Sequence, residues 1–456
     1  MSIDRRDFIK QAGAQTGLLL TGTGSLGATI VPSSGVAPAL QKGLPDVVVI
    51  GAGAIGGWTA LHLNAMGAKV LLVDAYGPGN SRSTSGDVTR GVRTSYGDRP
   101  NGEQWMLWAN TAITRWREWD EIFWKELGAR VYFTTGDLIT RAQWEPFLTQ
   151  TREWWVKNGI GHETLTVDEA RYRWPVFDLQ GINAIIYEPQ AGVVRARRSC
   201  ELVASWFQKH GGTLRIDRIS TLMRGTGQID QLLTSDGSSI RGGQYVFACG
   251  PWLPKVFANL LGPRMRSPMG NVFYMATPIG DKRFQAPDMP SHNFPGITGW
   301  AALAVDNHGF RTRIGGGQAG DPDTSERMVG APNVARLRTF LAERFPLLKD
   351  MPINEQRACH YETTVSRNFI IDKHPDFSNV WIAGGGNAEA FKQGPVFGEY
   401  TARRVLGKPT DPALTEAFRV PTTTYEEEAA KAEAAAQQGA RRPPGSNNYQ
   451  EENFDA

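Results

Sequence analysis

The β-branched run Val47-Val48-Val49-Ile50 has no polar position alternating with it, the pattern of a strand covered on both faces. Gly51-Ala52-Gly53-Ala54-Ile55-Gly56 follows at once, and the apolar spacing then predicts a helix over Trp58–Met66, closed by Gly67-Ala68. Lys69–Val73 is a second apolar strand ending at Asp74, which completes a βαβ unit. Residues 103–128, with Trp105, Leu107, Trp108, Ile113, Trp116 and Trp119, predict a long amphipathic helix. Val131–Ile139 and Ala184–Tyr187 predict strands of a different, antiparallel sheet, and Cys200–His210 a helix ending at Gly211-Gly212. Thr213–Ile216, Gln231–Thr234 and Gln244–Ala248 read as strands, the last running into Gly250-Pro251-Trp252. Residues 262–330, rich in Gly, Pro, Met and Phe, suit strands and loops around a binding site. A helix is predicted over Val334–Phe345, strands over Phe369–Ile371 and Val380–Ala383, and a helix over Gly394–Leu406. Beyond Thr422 the pattern degrades: Glu426–Gln438 allows a short solvated helix, and 425–456 is assigned to a disordered tail.

Composition narrows the class. A chain of 456 residues holds two or three domains, and 41% hydrophobic with 21% charged residues is ordinary for a globular protein. Fourteen Trp and 51 Gly suggest an enzyme with tight turns and aromatic walls. The net charge is +3 and the C-terminal tail is acidic, so the positive excess lies in the body. That excess suits small anionic ligands and is too diffuse for nucleic acid. Three cysteines, Cys200, Cys249 and Cys359, make no disulfide framework and no metal-ligand spacing, so no metal site is expected. After residue 45 no run of about 20 apolar residues reads as a membrane span.

Residues 1–39 read as an export segment rather than part of the fold. Asp4-Arg5-Arg6-Asp7-Phe8-Ile9-Lys10 precedes a mildly apolar Ala12–Val31, and Ala37-Pro38-Ala39 offers a small-residue cleavage site. The segment resembles a twin-arginine signal, with Asp4 where Ser or Thr is usual. The resemblance implies the twin-arginine export machinery as a partner, passage of an already folded protein, and a periplasmic location.

The glycines at 51, 53 and 56 stand between a strand and a helix, the context a dinucleotide fingerprint requires. Gly51 permits the tight turn, Gly53 lets the backbone approach a pyrophosphate, and Gly56 allows close helix–strand packing. The backbone of Gly51, Gly53, Ala54, Ile55 and Gly56 is thus expected to bind the cofactor, with the helix N-terminus facing the phosphates. Asp74 is placed to accept hydrogen bonds from a ribose 2′-OH, which disfavours NADP. The motif alone leaves FAD and NAD open.

Further residues close that choice. Ser83–Gly97 contains Arg90 and Arg93, and near the far end stand Cys359-His360-Tyr361-Glu362-Thr363 and Asn368-Phe369-Ile370-Ile371-Asp372. Gly384-Gly385-Gly386 and Ala390-Phe391-Lys392-Gln393-Gly394-Pro395 follow. On these motifs residues 45–420 resemble the D-amino-acid-oxidase superfamily, and within it monomeric sarcosine oxidase, pipecolate oxidase and fructosyl amino acid oxidases. The resemblance implies an α/β fold: a Rossmann-like FAD-binding domain and a second α+β substrate domain on a mixed or antiparallel sheet. The FAD domain is expected over 45–128, 196–255 and 355–415, and the substrate domain over 129–195 and 256–354.

The resemblance also assigns roles. Cys359 matches the cysteine that forms a thioether to the flavin 8α-methyl, a link that suits a nucleophilic sulfur. Arg93 and Lys392 match two cations that hold the substrate carboxylate, and Tyr361 a hydroxyl near the substrate. Arg90 and Gly386 fall near the flavin. The family's flavin-proximal lysine, which promotes reaction with O₂, falls on Arg313 in the best register, with Arg311 as the alternative. A family histidine shortly after it is replaced by Gly315-Gly316-Gly317-Gln318. The expected activity is oxidation of an amino acid or N-substituted amino acid to an imine, with O₂ or another carrier taking the electrons. A dehydrogenase of the same fold, a flavin-loaded binding protein without turnover and a hydroxy-acid oxidase are the alternatives.

Overall fold

The computed structural model describes residues 43–437 apart from residue 100, 221–224 and 316–318. The expected export segment (1–39) and the tail beyond Gln437 lie outside the described residues. Along the chain, β1 (Val47–Ile50), α1 (Ala54–Ala65) and β2 (Val70–Asp74) form the expected βαβ unit, with β1 and β2 parallel and β1 buried along its length. β3 (Thr89–Val92) and the long α2 (Gly102–Leu127) follow. Downstream come β4 (Asp137–Arg141), β5 (Gln244–Phe247), β6 (Met269–Met275), β7 (Phe310–Ile314), β8 (Ile353–His360), β9 (Val380–Gly384) and α3 (Gly394–Val405).

Three sheets organise these elements. The first runs Ile370–Lys373, β9, β5, β1, β2, Thr213–Ile216, parallel except for its first strand. The second has eight strands: β8, β6, β7, Ile297–Gly299, Ser291–Phe294, β4, Ala184–Glu188 and Glu163–Leu165. It is antiparallel except where Ser291–Phe294 runs parallel to β4. A small antiparallel sheet, β3 with Gly192–Arg195 and Tyr132–Thr134, is the third. The expected fold class is therefore what the chain adopts.

The first sheet needs cover on both faces, and α1 supplies part of it while being apolar nearly all round. α3 crosses α1 at very close range. A Cβ on Gly398 would lie 2.5 Å from atoms of Trp58, so only glycine permits the contact. On the buried side of α2, Trp116 packs edge-on to Trp58 with ring centroids 5.3 Å apart, while Leu107 faces outward.

Two expectations need correction. The single strand expected over 131–139 breaks at Gly136 (φ 74), where Tyr187 occupies the space a Cβ would take. Tyr132–Thr134 consequently joins the small sheet and β4 the eight-stranded one. The boundary expected at 355 falls inside β8, which pairs with β6, so the chain returns to the first sheet only after His360. At the start of the tail, Tyr425–Gln437 is helical, as the short helix allowed over Glu426–Gln438 anticipates. Its Tyr425 N–H donates to the Pro263 carbonyl at 3.0 Å, and Arg266 stacks 4.2 Å from the ring. Among the described residues no helix is long and apolar enough to cross a membrane.

Candidate active site

A cavity of about 650 Å³ runs from the β1–α1 turn to the β6–β7–β8 face of the second sheet. At its first end Gly51 takes φ 106, and a Cβ there would meet the Ala248 carbonyl oxygen at 2.3 Å. A Cβ on Gly56 would sit 1.8 Å from the Gly51 oxygen, so the packing role expected of Gly56 is visible as a distance. Gly53, Ala54 and Ile55 line the cavity, and Ser85 Oγ, accepting from the Ala54 N–H at 3.0 Å, serves the helix N-terminus, whose N-cap Gly53 has no side chain. Asp74 accepts from the backbone N–H groups of Ala52 at 2.7 Å and of Tyr76 and Gly77 at 2.8 Å. Burial pushes its carboxyl up, against those three donors, and it keeps lone pairs facing the cavity. These residues fit the adenosine and pyrophosphate of a dinucleotide. Because backbone rather than a flexible side chain blocks the space, Gly56→Val is expected to give protein that purifies without bound flavin. The ratio of visible to ultraviolet absorbance measures this, and full flavin content would refute the cradle.

The middle of the cavity brings five candidates together. Cys359, at the end of β8 and opposite Gly270 of β6, is buried and lines it. Arg90, Arg327 and Arg357 lie close enough to interact electrostatically with that sulfur. Arg90 also pairs with Asp87 at 2.8 Å and donates to the Thr84 carbonyl at 2.6 Å. Arg313 reaches the cavity and stacks 5.5 Å from the Tyr361 ring, and the absent Cβ of Gly270 leaves room for its guanidinium. The alternative, Arg311, is 1% exposed behind the wall and donates to Asp87 at 2.7 Å. Gly386 lines the cavity, and its N–H donates to Glu362 at 3.1 Å.

At the last end Arg93 and Lys392 meet. Arg93 donates to the Ser95 carbonyl at 3.1 Å and hydroxyl at 2.5 Å, lies 3.9 Å from Asp137 and stacks 5.8 Å from the Trp300 ring. Lys392 Nζ pairs with Glu389 and lies 5.0 Å from the Tyr96 ring, while Trp116 Nε1 donates to its carbonyl at 2.7 Å. Glu389 also accepts from Arg99 at 2.6 Å and from the Tyr96 hydroxyl at 3.1 Å. Burial alone would raise the Glu389 carboxyl, but Lys392, Arg99 and Arg93 outweigh it and hold it far below the usual carboxylate range. Behind Arg93, burial pushes Asp137 up, against Arg93, Lys392 and Arg141, and pushes Glu188 up to about 7. The ionised groups facing the cavity here are thus predominantly cations.

Sequence reasoning missed Arg99, Glu389, Trp300 and Asp87. Glu389 precedes Lys392 by one helical turn and Arg99 follows Arg93 by six residues, but neither spacing signals a shared cavity. Among the described residues no group of three or more His, Cys, Asp or Glu is arranged to hold a metal.

A glycine cradle on a parallel sheet, opening onto a cation-lined chamber above a second sheet, is the arrangement of a dinucleotide-dependent enzyme. The sequence model of the DAO family, the FAD dependent oxidoreductases, matches residues 46–404, and the chain belongs to that family. Monomeric sarcosine oxidase of Bacillus sp. (strain NS-129) is 26% identical over 371 residues, covering 78% of this chain and 92% of that protein. N-methyl-L-tryptophan oxidase of Salmonella enteritidis is 24% identical over 388 residues, covering 81% and 97%. The structure of fructosamine oxidase from Aspergillus fumigatus superposes with a TM-score of 0.70 at 21% identity, covering 84% and 90%. The chain is thus an FAD-dependent enzyme of a family that oxidises amino acids and N-methyl amino acids.

Proposed function

We propose that the protein oxidises the C–N bond of an amino acid or N-substituted amino acid to an imine, on FAD held covalently through Cys359, with O₂ taking the electrons. The observation that carries this reading is the meeting of Arg93 and Lys392 at one cavity end, beside Arg313 and Tyr361 and on the same cavity as Cys359. Bound FAD supplies the acceptor for the hydride equivalent. The protein supplies position and field. Arg93 holds the substrate carboxylate, with Lys392 adding a second positive charge, and Tyr361 borders the amine. Trp300 closes the chamber on the Arg93 side, and buried walls exclude water. Arg313 contributes a fixed positive charge in the wall, which favours any negative charge that develops nearby.

Anaerobic mixing with a panel of amino acids and N-alkyl amino acids tests the reading: one of them should bleach the flavin. No bleaching by any would defeat it. An arginine where the family carries a lysine supports a second reading, in which an electron carrier replaces O₂; slow reoxidation of the bleached protein by air would select it. The covalent link has its own test. Acid precipitation should leave yellow colour in the pellet, and Cys359→Ala should release it to the supernatant; free FAD from the unaltered protein would refute the link. Export through the twin-arginine route on Arg5-Arg6 is compatible with a flavoprotein that loads its cofactor before leaving the cytoplasm.

A further inference from the structure

The substrate end of the cavity carries more positive charge than one carboxylate needs. Arg93, Arg99, Arg367 and Lys392 line it together with Glu389 and the buried Glu362, while Asp137 lies behind Arg93 and Asp98 acts on Arg99 and Arg367 from outside the lining. Glu389 is fully engaged: Arg99 holds Oε1, while Lys392 and the Tyr96 hydroxyl hold Oε2. The Arg367 guanidinium lies on the same wall, and among the described residues no carboxylate or carbonyl accepts from it. Partial burial, and then repulsion from Arg99, lower the pKa of that guanidinium.

The backbone places it there at a cost. Arg367 has φ 58, a left-handed conformation that a residue with a Cβ rarely takes without support. Asn387 supplies the support. Its Oδ1 accepts from the Thr364 N–H at 3.0 Å, and its Nδ2 donates to the Asn368 carbonyl at 3.0 Å. Thr364 Oγ1 donates to the same Asn368 carbonyl at 2.7 Å, which closes the turn around Arg367. Asn387 and Ala388 are themselves left-handed, with φ 48 and 59, and lead directly into Glu389. One asparagine therefore clamps two strained loops together, one presenting Arg367 and the other the Glu389 that Arg99 grips. Asp98 and Glu389 attract both guanidiniums, yet among the described residues none accepts a hydrogen bond from Arg367 and Arg99 gives only Nη2 to Glu389, so both keep donors for a further anion.

We propose that Arg367 and Arg99 form a second anion subsite, so that the substrate is an amino acid carrying a further carboxylate besides the one held by Arg93. This rests on the amino-acid reading above. Arg99 has donors to spare, because Glu389 takes only its Nη2. A substrate with a neutral side chain would leave both guanidiniums facing an apolar group, which disfavours it.

The test uses the flavin-loaded protein and two unreactive acids of equal carbon number, pentanoate and glutarate, titrated against the flavin absorption spectrum. Glutarate should bind about tenfold or more tightly than pentanoate, the scale of one charge-assisted hydrogen bond. In Arg367→Asn, chosen because asparagine tolerates the left-handed turn, the ratio should fall to within about threefold, and Arg367→Lys should restore most of it. A glutarate affinity no greater than that of pentanoate, or a ratio that survives in Arg367→Asn, overturns the subsite. If pentanoate binds and glutarate gains nothing, the amino-acid reading stands and only the second subsite falls. If neither acid perturbs the flavin, both fall.

Discussion

Asp87→Ala is expected to cost about 3–5 kcal/mol of stability, the range for stranding a buried charge by removing its partner. Asp87 is fully buried and accepts from Arg311 at 2.7 Å, pairs with Arg90 at 2.8 Å and takes the Tyr274 hydroxyl. Burial would raise its pKa, but Arg311, Arg90 and Tyr274 together hold it well below the usual carboxylate range. Arg311 Nε and Nη1 already lack acceptors, so the variant would leave this guanidinium with no carboxylate at all. The sign of the pH dependence follows. A depressed carboxylate stabilises fully above its unfolded value of about 4, and the contribution fades only as pH falls below that. The deficit should therefore be constant between pH 5 and 8, measured as a shift of the denaturation midpoint. A loss under about 1 kcal/mol, in the range of an exposed pair, would show that the cluster is dispensable.

Arg93→Ala should weaken binding of a simple carboxylate such as acetate by about 1.5–3 kcal/mol, the usual worth of a hydrogen bond to a charged group. That is roughly ten- to more than a hundredfold in affinity. Lys392→Ala should act in the same direction, and the two should not add, because they serve one ligand. Lys392 also sets a pH dependence. Burial lowers its ammonium to about 8, despite the Glu389 attraction and with Arg93 and Arg99 repelling. Below that pH its charge is present and acetate affinity should be flat. Above it, the proton leaves, Glu389 keeps Arg99 and Arg93 as cationic neighbours, the site loses one positive charge, and affinity should fall. Lys392→Met should abolish that fall while Arg93→Ala should preserve it. An affinity in either alanine variant equal to the parent's, with flavin content intact, would remove that residue from the carboxylate site.

What the sequence made legible follows the range of the interactions. The βαβ unit, its glycines and Asp74 are written in a contiguous stretch, where periodicity and turn chemistry act locally. Thr213–Ile216 was placed to the residue, because Gly211-Gly212 starts it sharply. β3 left no such trace: Thr-Arg-Gly-Val is too short and too polar, and it is a strand only because Gly192–Arg195 lies beside it. The helix over Pro146–Lys157 escaped for a related reason, since only Phe147, Leu148, Thr151 and Trp155 face inward. In the site, family motifs located Arg93, Cys359 and Lys392, but a salt bridge between Arg99 and Glu389 is a property of the folded chain alone. The motif register favours Arg313 with Arg311 as the alternative, and the buried Asp87 that holds Arg311 away from the cavity has no local signal in the sequence.

The order of the first sheet has a bearing on how the chain is made. β1 lies between β2, its near neighbour in sequence, and β5, and beyond β5 the sheet continues with β9 from the far end of the chain. α1 is apolar nearly all round, yet the helix that fits against it through Gly398 is α3. A ribosome moving at about 5–20 residues per second would need roughly 15–65 s to go from the end of α1 to the start of α3. Throughout that interval Trp58, Leu61 and Leu63 of α1, all buried in the finished fold, lack the helix that covers them, and the sheet beneath lacks β9. Pairing between strands so far apart in sequence means that the first sheet is completed only after the far end of the chain has been made.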